Sequence, residues 1–250
     1  MRGLAVTVRW LPKAGNDDRD YEDAFSVLTL GDRARIAVAD GASEAFEARR
    51  WARLLVDGWV RHGGEPSTDN LAAVAREAGS TWAAKFRGLD LPYNVQPHVE
   101  RGSAATFLAA ELSLEDAPEK ARWRALAIGD SCLFMLRAGR LLQTFPLESA
   151  AQFGLSPDLL ASRRVNSDRA LDAMPRAEGQ ILAGDSLFLT TDAVGAWLLG
   201  MHEAGEEPWE SLSRACCSDG VFEEFIEHCR TTSPVRMRND DVTVVRLHLG

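Results

Sequence analysis

Two apolar runs in this chain of 250 residues end in the same way. Ile36-Ala37-Val38-Ala39 leads into Asp40-Gly41, and Ser186-Leu187-Phe188-Leu189-Thr190 leads through Thr191 into Asp192. A short apolar run packs its backbone in a core, so each aspartate is held at the end of a buried strand. Two carboxylates delivered from distant parts of one chain constrain the fold, because separate strands must bring them together. All-oxygen donors of that kind suit a hard divalent cation.

A chain of this length supports one large core and is marginal for two, so a single domain spanning residues 1–250 is expected. The formal net charge is -9, with acids dispersed along the sequence. That argues against nucleic acid as the main partner, since a phosphate backbone needs a basic patch. Cys132, Cys216, Cys217 and Cys229 have no CxxC spacing and read as reduced thiols. His62, His98, His202, His228 and His248 form no HExxH pattern, which argues against zinc. The opening residues are interrupted by Arg9 and Pro12, too soon for a signal peptide, and no run approaches the roughly 18 apolar residues of a membrane span. A cytoplasmic protein without direct membrane insertion is expected.

Strands are expected over 4–10, 24–30 and 35–39, close enough together and joined by enough turn residues to pair antiparallel. Ser43 is expected to cap a helix whose apolar positions are Phe46, Trp51, Leu54, Leu55 and Trp59, with Gly63-Gly64 as its stop. Asp69 or Asn70 starts a second helix, with Leu71, Val74, Ala78, Trp82 and Phe86 on one side. Further strands fall at 104–112, 122–128, 132–137, 141–144 and 186–190, helices at 194–201, 208–217 and 221–229, and a last strand at 242–247. Residues 145–179, with Pro146, Pro157 and Pro175, lose clear period and read as a surface excursion with short helical stretches at 148–153 and 157–161. About nine strands and five helices favour an α+β fold in which helices cover the outer faces of two mostly antiparallel sheets. A doubly wound parallel sheet is the rival, and periodicity alone leaves both open. Trp51, Trp59, Trp82 and Trp197 read as core, and Trp209, beside Pro208 and several acids, as the exposed aromatic.

Taken singly, the acids mean little, because Asp before Gly is a common turn signal and Glu22-Asp23 reads as a solvated pair. Their order is more informative. Asp18-Arg19-Asp20-Tyr21-Glu22-Asp23-Ala24, Val38-Ala39-Asp40-Gly41, Gly102-Ser103-Ala104-Ala105-Thr106, Gly129-Asp130-Ser131, Thr191-Asp192-Ala193 and Asp240-Asp241-Val242-Thr243 follow one another across nearly the whole chain. The series resembles the metal-dependent serine/threonine phosphatases of the PPM or PP2C family, as a divergent bacterial-type member. Its early motif is Arg-x-x-Asn-Glu-Asp-Ala, followed by Val-x-Asp-Gly, Ser-Gly-Thr-Thr-Ala, Gly-Asp-Ser, Ser-Asp-Gly and Asp-Asn-x-Thr.

The resemblance implies a PP2C-like four-layer αββα sandwich and two Mn²⁺ or Mg²⁺ ions. Asp40 would bridge them, with Glu22 and the Gly41 carbonyl at one and Asp192 and Asp240 at the other, and Asp130 would help hold a third. The implied reaction is hydrolysis of phosphoserine and phosphothreonine on protein substrates, reversing a Ser/Thr kinase, by a hydroxide bridging the two ions. Residues 145–179 would be the flap beside the site. Several positions depart from the family pattern. The phosphate-binding arginine aligns with Asp18, so Arg19, one residue later, is the candidate to reach the phosphate through a distorted loop. No histidine follows Asp40-Gly41, Ala193 replaces a glycine, and Asp241 replaces an asparagine. Two other functions stay open: a noncatalytic interaction or regulatory protein on the same fold, and a phosphomonoesterase for small metabolites.

Overall fold

Alternate residues of the strand β5 (Phe107–Leu114) face two different cores: Phe107 and Ala109 join one apolar cluster, Leu108, Ala110 and Leu112 another. A strand apolar on both faces must be covered on both, which forces a layered architecture. The computed structural model describes residues 3–114, 120–154, 156–163 and 167–250.

One sheet has the order β10-β6-β5-β3-β2, formed by Arg176–Leu182, Lys120–Ile128, β5, Arg33–Ala39 and Ala24–Leu30. The other runs β1-β12-β11-β7-β8, formed by Leu4–Leu11, Val242–Leu249, Ser186–Thr190, Cys132–Arg137 and Arg140–Phe145. Every strand pair described is antiparallel, which removes the parallel rival. The facing sheets bury Ile36, Val38, Leu133, Leu187 and Leu247 between them. Helices α1 (Ala48–His62) and α2 (Thr68–Ala84) cover the first sheet, and α5 (Asp192–Glu203), α6 (Trp209–Ala215) and α7 (Asp219–Thr231) cover the second. The result is a four-layer αββα sandwich.

α1 forms because Ala48, Trp51, Ala52, Leu55, Val56, Trp59 and Val60 recur at helical spacing and are all buried. It stops at Gly63, whose φ of 77° suits only glycine. Ser43 does not cap it; the helix begins later, after Glu47, while α2 is capped by Ser67, which accepts from the Asn70 amide at 3.2 Å. Trp209 is fully buried against Phe134, correcting the expectation of an exposed ring; α6 turns it inward and sends its acids outward.

Residues 145–179 carry more structure than their weak period conveys. A 3-10 turn at Ala150–Gln152 falls within the expected helical stretch, whereas 157–161 is not helical: Leu160–Ala161 (β9) pairs with Ala104–Ala105 (β4), and the Trp51 indole donates to the Leu160 carbonyl at 2.7 Å. Helices α3 (Gln96–Arg101) and α4 (Asp168–Asp172) and the edge strand β10 were not legible. β10 alternates exposed with inward positions, of which Ile181 is fully buried, and contains Gly179, which is there because a Cβ would stand 2.8 Å from the Trp123 ring.

Candidate active site

Strand ends at one rim of the two facing sheets set the acids in place. Asp40 follows β3 directly, and its backbone is fixed by Thr106 twice: the Asp40 amide donates to Thr106 Oγ1 at 3.1 Å, and the Thr106 amide donates to the Asp40 carbonyl at 2.9 Å. Thr106 Oγ1 also meets Ser131 Oγ at 2.9 Å, which ties the strand carrying Thr106 to the turn carrying Asp130. In that turn Gly129 holds φ 93°, and a Cβ there would lie 2.8 Å from the Asp158 carbonyl. Gly41 is required for a different reason: a Cβ would lie 2.9 Å from the Glu22 carbonyl oxygen and 3.0 Å from the Ala48 carbonyl carbon.

Asp192 is the first residue of α5, where the positive end of the helix favours a carboxylate. Ala193 therefore sits in a helical turn, and the glycine it replaces is not needed for left-handed backbone. Asp240 lies in the turn before β12. Its neighbour Asp241 accepts from the Lys13 amide at 2.8 Å and the Glu22 amide at 2.7 Å. It clamps the loop between β1 and β2, satisfying two backbone donors in a buried position.

The electrostatics are lopsided. Asp40 is held well above the usual carboxylate range, by burial first and then by Asp23, Asp192, Asp240 and Asp130. Burial also pushes Asp130 up to about 6, reinforced by Asp192, and its Oδ1 has no hydrogen-bond partner among the described residues. Asp192 is raised by burial against the pull of Arg238. The Arg238 guanidinium bonds Asp192 Oδ2, and its Nε lies 3.3 Å from Asp240 Oδ2. Asp40, Asp130, Asp192 and Arg238 line one cavity of about 730 Å³, together with Arg101 and Arg169.

Glu22 and Arg19 line a second cavity of about 700 Å³ next to it, with Lys13, Arg49, Arg50 and Arg53. The structure thus gathers Asp40, Asp130, Asp192 and Asp240 and sets Glu22 and Arg19 in the adjoining space. Among the described residues, no three carboxylate, imidazole or thiol groups stand close enough, as placed, to hold an ion. The donor chemistry nonetheless fits a hard divalent cation: only oxygen, buried at Asp130 and Asp192 and half-buried at Asp40 and Asp240, one atom unpartnered, and more negative charge than Arg238 alone balances.

Two important residues escaped the sequence. Asp23 is buried, not solvated; it accepts from Thr191 Oγ1 at 2.8 Å and Thr243 Oγ1 at 2.7 Å, joining β2, the start of α5 and β12. Burial pushes it up to about 8 against those two hydrogen bonds. Its signal was the threonine that precedes Asp192 and the one that closes the last motif. Arg238, two residues before Asp240, gave no signal at all.

No protein-family model and no curated protein matches the sequence. Solved structures do match the fold. The photosystem II phosphatase PBCP aligns with a TM-score of 0.64 at 14% identity, over 99% of this chain and 99% of that one. The catalytic domain of the serine/threonine protein phosphatase PstP, in complex with 2 manganese ions, aligns with a TM-score of 0.60 at 19% identity, over 98% and 97%. PppA, a regulatory component of T6SS in Pseudomonas aeruginosa, aligns with a TM-score of 0.55 at 20% identity, over 99% and 98%. At such identities the likeness shows the architecture: this is the PP2C-like sandwich.

Proposed function

We propose that the chain is a metal-dependent phosphatase acting on phosphoserine and phosphothreonine in proteins, opposing a Ser/Thr kinase. The observation that carries the reading is the group of aspartates formed by buried Asp130 and Asp192 and half-buried Asp40 and Asp240, backed by Asp23 and ion-paired to Arg238, at one rim of a fold shared with phosphatases. Asp40, the Gly41 carbonyl, Glu22, Asp192 and Asp240 would hold two Mg²⁺ or Mn²⁺ ions, and Asp130 a third. When bound, the ions supply Lewis acidity toward water and toward the phosphoryl oxygens.

The chain's own residues do the positioning. Thr106 fixes the Asp40 backbone, Asp23 locks Thr191 and Thr243 so that Asp192 and Asp240 keep a constant separation, and Asp241 holds the Glu22 amide. The Arg238 side chain, on the cavity wall and 57% exposed, would meet a phosphate oxygen there, and Arg19, in the adjoining cavity, stays the other candidate for that role. No histidine is among the residues directly after Gly41, and His98 is the imidazole among the described residues that line the cavity.

The test is hydrolysis of an aryl phosphate by metal-stripped protein titrated with Mn²⁺ and then Mg²⁺, with Asp40→Ala as control. Metal-restored turnover that the variant lacks supports the reading, and phosphopeptides against phosphorylated metabolites then separate a protein phosphatase from a small-molecule phosphomonoesterase. Equal background in both proteins overturns it. That outcome favours a noncatalytic interaction protein, a second reading to which the Arg238 bridge between Asp192 and Asp240 lends weight. Among the described residues no helix is long and apolar enough to cross a membrane.

A further inference from the structure

Helix α1 begins against the local rules. Its cap residue, Glu47, has left-handed backbone (φ 58°, ψ 40°) and makes no capping bond, and its first turn holds no acid. In place of an acid stand Arg49 and Arg50, with Arg53 one turn on. The N-terminal end of a helix carries roughly half a positive charge, so two guanidinium groups there are repelled. The carboxylate of Glu47 is paired with Lys85 at 2.6 Å.

Few of these cations are matched. Arg53 pairs with Asp57 at 3.0 Å, and Arg49 donates to the Arg19 carbonyl at 2.8 Å. Arg50 Nε is buried with no hydrogen-bond partner, and among the described residues Lys13 and Arg19 have no ion-pair partner. All five line the open cavity of about 700 Å³, in a chain whose net charge is -9. Its acids are Glu47, which is paired, Asp20, which accepts from the Asp17 amide at 3.3 Å, and Glu22. The wall toward the aspartate cavity is the Asp40-Gly41 backbone, packed directly on Glu22 and Ala48. A sequence that breaks a helix rule beside a catalytic site is best explained by what binds there.

We infer that this basic cavity docks an acidic segment of the substrate chain, carboxylates flanking the phosphorylated residue. The inference rests on the phosphatase reading and deepens it to a substrate class. An extended peptide fits better than a compact anion because the cations come from both the β1–β2 loop and successive turns of α1, and do not converge on one point. Alternate carboxylates of an extended chain, about 6.6 Å apart, can meet such a spread array.

The experiment is calorimetric titration of the full chain with an unphosphorylated peptide rich in Asp and Glu, with its Asn/Gln twin, and with inorganic phosphate. Wild type, Arg49→Gln and Arg50→Gln are compared, each checked by thermal melting. The acidic peptide should bind at least about tenfold tighter than its twin, lose about tenfold with each substitution, and weaken as salt rises. Both variants should melt no lower than wild type, since each removes a cation from the positive end of α1. Equal binding of the twin, or acidic-peptide binding unmoved in both variants, overturns the proposal, as does inorganic phosphate binding as tightly as the peptide, which would make the cavity a free-anion site. Failure of the phosphatase reading looks different: wild type would not turn over aryl phosphate with Mn²⁺, yet acidic-peptide binding would persist, supporting the docking site on a noncatalytic protein.

Discussion

Two cavities lie on either side of the Asp40-Gly41 backbone and depart from electrostatic balance in opposite directions. One gathers carboxylates, raised in pKa by burial and by one another, of which Asp192 and Asp240 are ion-paired to Arg238. The other gathers cations at the end of a helix that already carries positive charge. Each arrangement destabilises the free protein locally, and each is relieved by a ligand of opposite sign. On the proposed reading, these neighbouring excesses of opposite sign would meet two ligand groups together, divalent cations on one side and an acid-rich chain bearing the phosphoester on the other.

The largest effect that would break this contrast is at Asp40. Asp40→Asn should lower metal-dependent aryl phosphate turnover by about a thousandfold while raising the melting temperature of the metal-stripped protein, because it removes a buried charge with little change of shape. A variant that keeps its activity would remove the acidic side of the comparison. Next comes pH. Asp23 has its carboxyl raised from 3.8 to about 8 by burial, so the folded state holds a proton that the unfolded state releases. The associated stability is full below about pH 4 and is lost as pH rises toward 8. Chemical denaturation of metal-stripped protein across that window should show the decline, and Asp23→Asn, whose amide oxygen can still accept from both threonines, should flatten it.

Arg238 sharpens the contrast from within. As the one cation bridging Asp192 and Asp240, it competes with any ion those residues hold, so Arg238→Met should tighten Mn²⁺ binding by about tenfold in calorimetry. Weaker Mn²⁺ binding would show that the arginine organises the ligands. The smallest effect belongs to the basic side: Arg50→Glu should stabilise the ligand-free protein by about 0.3–1 kcal/mol, about 1–4 °C in melting temperature for a chain this long. A drop would mean that the Arg50 stem, and not its charge, matters to packing.

What the sequence made legible follows the reach of each interaction. Strand-end carboxylates and the apolar runs beside them are local patterns, so Glu22, Asp40, Asp192 and Asp240 could be proposed together from the residues, while Asp130 came only with the family resemblance. The same runs suggested two sheets with helices outside but left a parallel sheet open, and the four layers were implied only by the family resemblance. Asp23 could not be read as buried, because its burial depends on Thr191 and Thr243, both far along the chain. Trp209 was misjudged for a similar reason: its neighbours are acidic, but one side of a single helical turn decides where the ring goes. Nor could the site of Arg19 be fixed, since the shape of its loop is set by Asp241 through the amides of Lys13 and Glu22.

That clamp and the strand beside it bear on how the molecule is made. β12 lies between β1 and β11, and among the described residues β1 has no other strand partner. In synthesis order the first strand thus waits, unpaired, for the last. Until Val242–Leu249 inserts, the β1–β2 loop has no Asp241 to hold it, and the carboxylates at the rim have no fixed spacing. Such long-range closure makes for slow folding. An incomplete chain would hold most of its helices and one whole sheet, yet would have no assembled active site.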